Sequence, residues 1–218
     1  MSLPTELDAV AFDLDGVLTD TARAHYCAWK RLAEMLEIPF HEEANEALKG
    51  VDRMSSLALI LGDRTGHDDR ERAQLAALKN GWYLEEIAHF GPADLFPGAR
   101  NAIEQCRAAG LSVTVASGSR NAPLLLARMQ IDALFDAVVD PASVAWGKPA
   151  PDIFLAAARA VGAVPARVLG VEDAEAGIAA IGAAGMPSLG VGDPTQLAAA
   201  DSVIATIADF DLSDYQAG

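Results

Sequence analysis

The chain opens on a short apolar run, Leu7 to Phe12 interrupted only by Asp8, that ends in Asp13-Leu14-Asp15-Gly16. This pattern predicts a buried strand over residues 8–13 closed by a tight turn. From Thr21 to Glu37 the period changes. Ala22, Tyr26, Trp29, Ala33 and Leu36 recur every three or four positions, which predicts an amphipathic helix with Asp20 or Thr21 as its N-cap. Further helix-rich sequence runs to about His89, with breaks expected at Pro39, Gly50, Gly62 to Gly66 and Gly81, and no alternating strand pattern occurs between Asp20 and Phe90.

After Gly91-Pro92 helical and strand-like segments alternate. Helices are predicted over 99–109, 123–129, 151–161 and 174–184. Strands are predicted over 111–116, 137–140, 167–171 and 186–191, with a last one over 203–207. Strands that alternate with helices imply a parallel sheet covered on both faces. The predicted fold class is therefore a doubly wound, Rossmann-like α/β core. An all-helical domain, residues 19–91, is inserted after its first strand, and residues 1–18 and 92–218 form the core. The joints are expected near Leu18–Thr21 and Gly91–Pro97.

Composition narrows the function classes. At 218 residues and 51% hydrophobic, the chain can fill a sizeable core. No apolar run approaches the ~18 residues of a membrane span. Residues 1–6 carry neither a basic region nor an apolar signal core, so secretion is not expected. Cys27 and Cys106 are far apart with no C-x-x-C spacing and are read as reduced, packed thiols, which suits a cytoplasmic protein. The net charge of −15 argues against a nucleic-acid partner. It leaves room for a small phosphorylated ligand, which needs only local positive charge or a metal.

Parallel strands end on one edge, where ligands bind. That edge is expected to gather Asp13 and Asp15 from the first strand, Ser117-Gly118-Ser119-Arg120-Asn121 after the second, Lys148-Pro149 after the third, and Glu172-Asp173 after the fourth. Asp13 and Asp15, two apart on a strand, share a face and repel unless a cation joins them or their roles differ. Four carboxylates with no Cys or His nearby make a hard oxygen site suited to Mg2+ rather than zinc. The stretch makes a poor EF-hand loop, because Val17 and Ala24 occupy its fifth and twelfth positions. Lysine and hydroxyl groups suit a phosphoryl group, and a carboxylate can attack phosphorus to give an aspartyl-phosphate.

Asp13-Leu14-Asp15-Gly16-Val17 with Thr19, then Ser117, Lys148-Pro149 and Glu172-Asp173, resembles the four ordered motifs of the haloacid dehalogenase superfamily. A closer resemblance, to the sugar-phosphate mutases of that superfamily, spans essentially the whole chain. It rests on Thr19-Asp20-Thr21, His25, Ala28-Trp29-Lys30, Leu48-Lys49-Gly50-Val51 with Arg53, Lys148 to Phe154, and Glu172-Asp173 with Ala176-Gly177-Ile178.

The resemblance implies interconversion of β-D-glucose 1-phosphate and glucose 6-phosphate through a β-D-glucose 1,6-bisphosphate, with Mg2+ as cofactor, in a monomer whose helical insertion is a cap. Asp13 would be the nucleophile and Asp15 the general acid/base. Asp13, the Asp15 backbone carbonyl, Asp173 and Glu172 would hold the metal. Ser117 and Lys148 would hold the transferring phosphoryl group. Arg53, Ser119, Arg120 and Asn121 would grip the second phosphate, Gly50 and Val51 would line the sugar pocket, and His25 and Lys79 would couple binding to cap closure. Thr21 and Trp29 join them as candidate substrate residues, although Trp29 also fits helix packing.

Three positions depart from the pattern: Asp52 beside Arg53, Gly118 between the serines, and Arg120 where lysine is common. Asp52 is expected to weaken the phosphate grip unless its side chain points away. A sugar-phosphate phosphatase with the same core is the alternative. A dehalogenase would not need Asp15 or a metal, and a non-catalytic phosphosugar-binding module would show damaged carboxylates.

Overall fold

In the computed structural model, residues 6–62, 64 and 66–215 are described. Six strands form one sheet: β1 (Ala9–Phe12), β2 (Ser112–Val115), β3 (Ala137–Val138), β4 (Val168–Glu172), β5 (Ser188–Val191) and β6 (Ser202–Ile204). All neighbours are parallel, in the order β3-β2-β1-β4-β5-β6. The chain winds outward in both directions from β1, so the order reverses there and opens a crevice at the strands' carboxyl ends.

Strand period explains the two covered faces. On β1, Val10 and Phe12 point into a core with Ala99, Ile103 and Cys106 of α5 (Ala99–Ala108) and Leu125 and Leu126 of α6 (Ala122–Arg128). Ala9 and Ala11 point the other way, to Phe154 and Ala157 of α7 (Asp152–Ala160) and Ile178 and Ile181 of α8 (Glu175–Ala183).

Between β1 and α5 lie four α-helices and, as expected, no strand among the described residues: α1 (Ala22–Met35), α2 (Glu42–Glu46), α3 (Arg53–Leu61) and α4 (Asp69–Glu86). Trp29, Leu32, Leu57, Leu61 and Ala76 close their own small core. Gly81 does not break α4, contrary to the sequence expectation; the helix runs through it because neighbouring residues such as Tyr83 anchor the helix in the core.

The two segments expected as joints lie side by side. Phe96 N donates to Leu18 O at 2.9 Å, and Thr19 Oγ1 donates to Asp94 O at 2.7 Å. No helix among the described residues is long and apolar enough to cross a membrane.

Candidate active site

Asp13 follows β1 directly, where Asp13 N donates to Val171 O at 2.9 Å and so keeps the β1–β4 ladder intact up to the carboxylate. Gly16 turns the chain with φ +90, a conformation that favours glycine. Space demands glycine as well: a Cβ there would stand 2.0 Å from an Asp173 carboxylate oxygen. The Asp173 side chain thus lies across the turn that carries Asp13 and Asp15.

The carboxylates of Asp13, Glu172 and Asp173 each offer an oxygen within 4.8 Å of the others. Lys148 Nζ bridges two of them, at 2.5 Å from Asp13 Oδ1 and 2.6 Å from Glu172 Oε2, and all three of these side chains are almost wholly buried. Burial disfavours the ammonium, but the two carboxylates outweigh it and hold the Lys148 pKa above its ordinary value. Burial and neighbouring carboxylates push Glu172 well above the carboxylate range and Asp173 to about 7. One ammonium among three crowded carboxylates leaves negative charge uncompensated. Such an all-oxygen cluster fits a hard divalent cation.

Asp15 serves a different neighbourhood. Its carboxylate accepts from the hydroxyls of Thr21 and Ser117, the latter at 3.3 Å. The Asp15 carboxylate is thus engaged by hydroxyls and is not one of the three that cluster, so the metal role implied for this residue falls to its backbone carbonyl. Burial and the Asp13 charge raise its pKa to about 6, against the hydroxyl bonds and Lys148. A carboxyl poised there can both give and take a proton near neutral pH. Thr21 does not cap α1 with its hydroxyl; Ala22 N donates to Asp20 Oδ1 at 2.9 Å instead.

The Ser117 loop is tied together by short-range bonds. Ser119 N donates to Ser117 Oγ at 3.0 Å, and Asn121 N to Ser119 Oγ at 3.2 Å. Asn121 Nδ2 reaches across to Asn80 Oδ1 of α4 at 2.9 Å.

The helical side contributes a buried basic cluster. Lys79, 2% exposed, sits 2.9 Å from His25 Nδ1, with its ammonium side against the rings of Trp29 and Tyr83 at 4.5 and 4.9 Å. Burial and Arg53 lower the Lys79 pKa to about 7, and burial with Lys79 and Arg53 pulls the His25 pKa well below its ordinary value. Trp29 is a core residue that supports Lys79. Burial and the Arg120 charge lower the Arg53 pKa, so two guanidiniums from opposite sides of the crevice feel each other, and neither has an ion pair among the described residues. The Gly50-Val51 turn lies over the carboxylates: a Cβ on Gly50 would be 3.4 Å from Ala174 Cβ and 3.8 Å from Lys148 Cδ.

The Asp52 carboxylate is engaged locally at the start of α3. It caps α3, accepting from Met54 N and Ser55 N at 2.9 and 3.1 Å. Sequence reasoning missed Asn80 and Tyr83. Tyr83 lies four residues after Lys79 on one face of α4, a spacing that could have flagged it, and its ring centroid is 4.3 Å from that of His25. Asn80 carried no such signal, because its partner lies across the crevice.

The haloacid dehalogenase-like hydrolase family profile matches residues 7–185. A β-phosphoglucomutase of Bacillus subtilis is 44% identical over 209 residues, 94% of this chain and 92% of that protein. A phosphorylated-carbohydrates phosphatase of Thermotoga maritima is 27% identical over 193 residues, covering 83% and 82%. Among solved structures, a β-phosphoglucomutase of Clostridium difficile superposes with a TM-score of 0.93 at 34% identity, covering 95% of both chains.

Proposed function

The chain belongs to the haloacid dehalogenase-like hydrolase family, and on that premise we propose that it interconverts β-D-glucose 1-phosphate and glucose 6-phosphate. Phospho-Asp13 donates its phosphoryl group to the free hydroxyl of the sugar phosphate, while Asp15 takes the hydroxyl proton. The resulting 1,6-bisphosphate reorients, and Asp13 attacks the other phosphoryl group as Asp15 returns the proton to the leaving oxygen. Asp13, the Asp15 carbonyl, Asp173 and Glu172 would hold Mg2+, which would supply positive charge to the phosphoryl oxygens. Lys148 and Ser117 bind the same phosphoryl group from the protein side. Residues 19–91 act as a cap that excludes water while Asp13 is phosphorylated.

One observation favours a mutase over a phosphatase with the same core. Arg53 and Arg120 face each other's charge without an acidic partner among the described residues. Two cations held so are relieved by an anion between them, and a mutase must hold a second phosphate while the first reacts.

The test incubates the enzyme with β-D-glucose 1-phosphate, Mg2+ and a trace of the bisphosphate. Accumulation of glucose 6-phosphate is the expected outcome. Stoichiometric free phosphate with no glucose 6-phosphate would overturn the mutase reading in favour of a phosphatase.

A further inference from the structure

Asp52, Gly118 and Gly147 come from three separate loops and meet beside the reaction centre. Asp52 is pinned: besides its two backbone bonds, its Oδ2 accepts from Ser55 Oγ at 2.5 Å. Gly147, the residue before Lys148, lies against it. A Cβ on Gly147 would stand 2.6 Å from Asp52 Oδ2 and 3.4 Å from both Asp52 Cβ and Cγ. Gly118 faces the same turn more loosely, since a Cβ there would be 3.4 Å from Gly50 O and 3.6 Å from Asp52 N. Neither glycine has a positive φ, so both backbones accept alanine. What position 147 lacks is room, because the carboxylate facing it cannot swing aside without giving up its bonds to α3.

We propose that Gly147 and the pinned Asp52 form a closure seam that decides whether phospho-Asp13 reacts with sugar or with water. The proposal rests on the mutase reading above. The Gly50-Val51 turn immediately precedes Asp52 and lies over Lys148 and Glu172. A methyl group on residue 147 pushes Asp52 outward by several tenths of an ångström and lifts that turn with it. Water then reaches the phosphorus. Its oxygen forms the new P–O bond, the bond to the Asp13 carboxylate breaks with its electron pair returning to Asp13, and the water proton passes to Asp15. The product is inorganic phosphate in place of a bisphosphate.

The test uses the full chain with Mg2+, β-D-glucose 1-phosphate and a trace of the bisphosphate, and measures glucose 6-phosphate and free phosphate together. Gly147→Ala should raise the share of turnovers ending in free phosphate on the order of tenfold, since misplacement approaching 1 Å costs a reacting constellation up to about a hundredfold. Gly118→Ala, which adds the same methyl at ordinary contact distance, should keep the wild-type share. Asp52→Ser keeps a capping oxygen but ends near where Asp52 Cγ stands. The double variant Asp52→Ser with Gly147→Ala should therefore return to the share of Asp52→Ser alone.

An unchanged share in Gly147→Ala overturns the seam. So does a parallel loss of both products, which would place the effect on Lys148, or a double variant that shows no rescue. A wild-type enzyme that makes only free phosphate overturns the mutase reading instead, and is told apart by needing no variant.

Discussion

Asp13 and Asp15 share a strand end but not an environment. Asp13 is bonded to Lys148 inside the carboxylate cluster, whereas Asp15 is turned to the hydroxyls of Thr21 and Ser117 with a pKa near 6. That separation supports the proposed roles, attack for Asp13 and proton transfer for Asp15. Replacing Asp13 with Asn keeps the shape and removes the nucleophile. Turnover should fall by on the order of 10^4-fold or more, with no phosphorylated enzyme detectable by intact mass. The thermal midpoint should hold or rise, because one of three crowded carboxylates is gone while Lys148 keeps Glu172. Retained turnover would remove Asp13 from the nucleophile role. These core residues were legible in the sequence, because a parallel sheet brings every strand's carboxyl end to one edge. Asn80 was not, because its partner Asn121 lies across the crevice; Tyr83 was missed although its spacing from Lys79 pointed to it, and the contact between Asp52 and Gly147 depends on how the helical segment docks onto the sheet.

At the scale of elements, the alternating half of the chain was read closely. The predicted strand over 111–116 forms as Ser112–Val115, and the predicted helix over 151–161 forms as Asp152–Ala160. Hydrophobic period carried those assignments, and helix ends frayed the boundaries by a residue or two. The one misread break, at Gly81, has a consequence. Gly81 is exposed, sits within α4 without a positive φ, and a Cβ there would meet nothing within 4 Å. Alanine at that position costs nothing sterically and narrows the unfolded ensemble. Gly81→Ala should stabilise the protein by about 0.5–1 kcal/mol, seen as a higher urea midpoint at unchanged slope. A lower midpoint would mean that α4 needs the flexibility at this point.

Across the whole molecule, a chain of net charge −15 concentrates three of its carboxylates in a buried cluster with one lysine. That arrangement ties folding to both pH and metal. Asp173 holds its proton to about 7 and Glu172 well above the carboxylate range, while in the unfolded chain both ionise near 4. Between about pH 4 and 7 the native state therefore binds more protons than the unfolded state, and without metal its stability falls as pH rises through that window. A divalent cation reverses the sign, because it binds the ionised carboxylates and is opposed by protons at low pH. With Mg2+ at about a hundred times its Kd, the native state gains about 2.7 kcal/mol, a rise in Tm of roughly 5–10 °C for a chain of this size. Melting curves with Mg2+ and with chelator should therefore diverge by that amount at pH 8 and converge toward pH 5. A gap that stays constant over this range would show that Glu172 and Asp173 are not the groups that hold the ion.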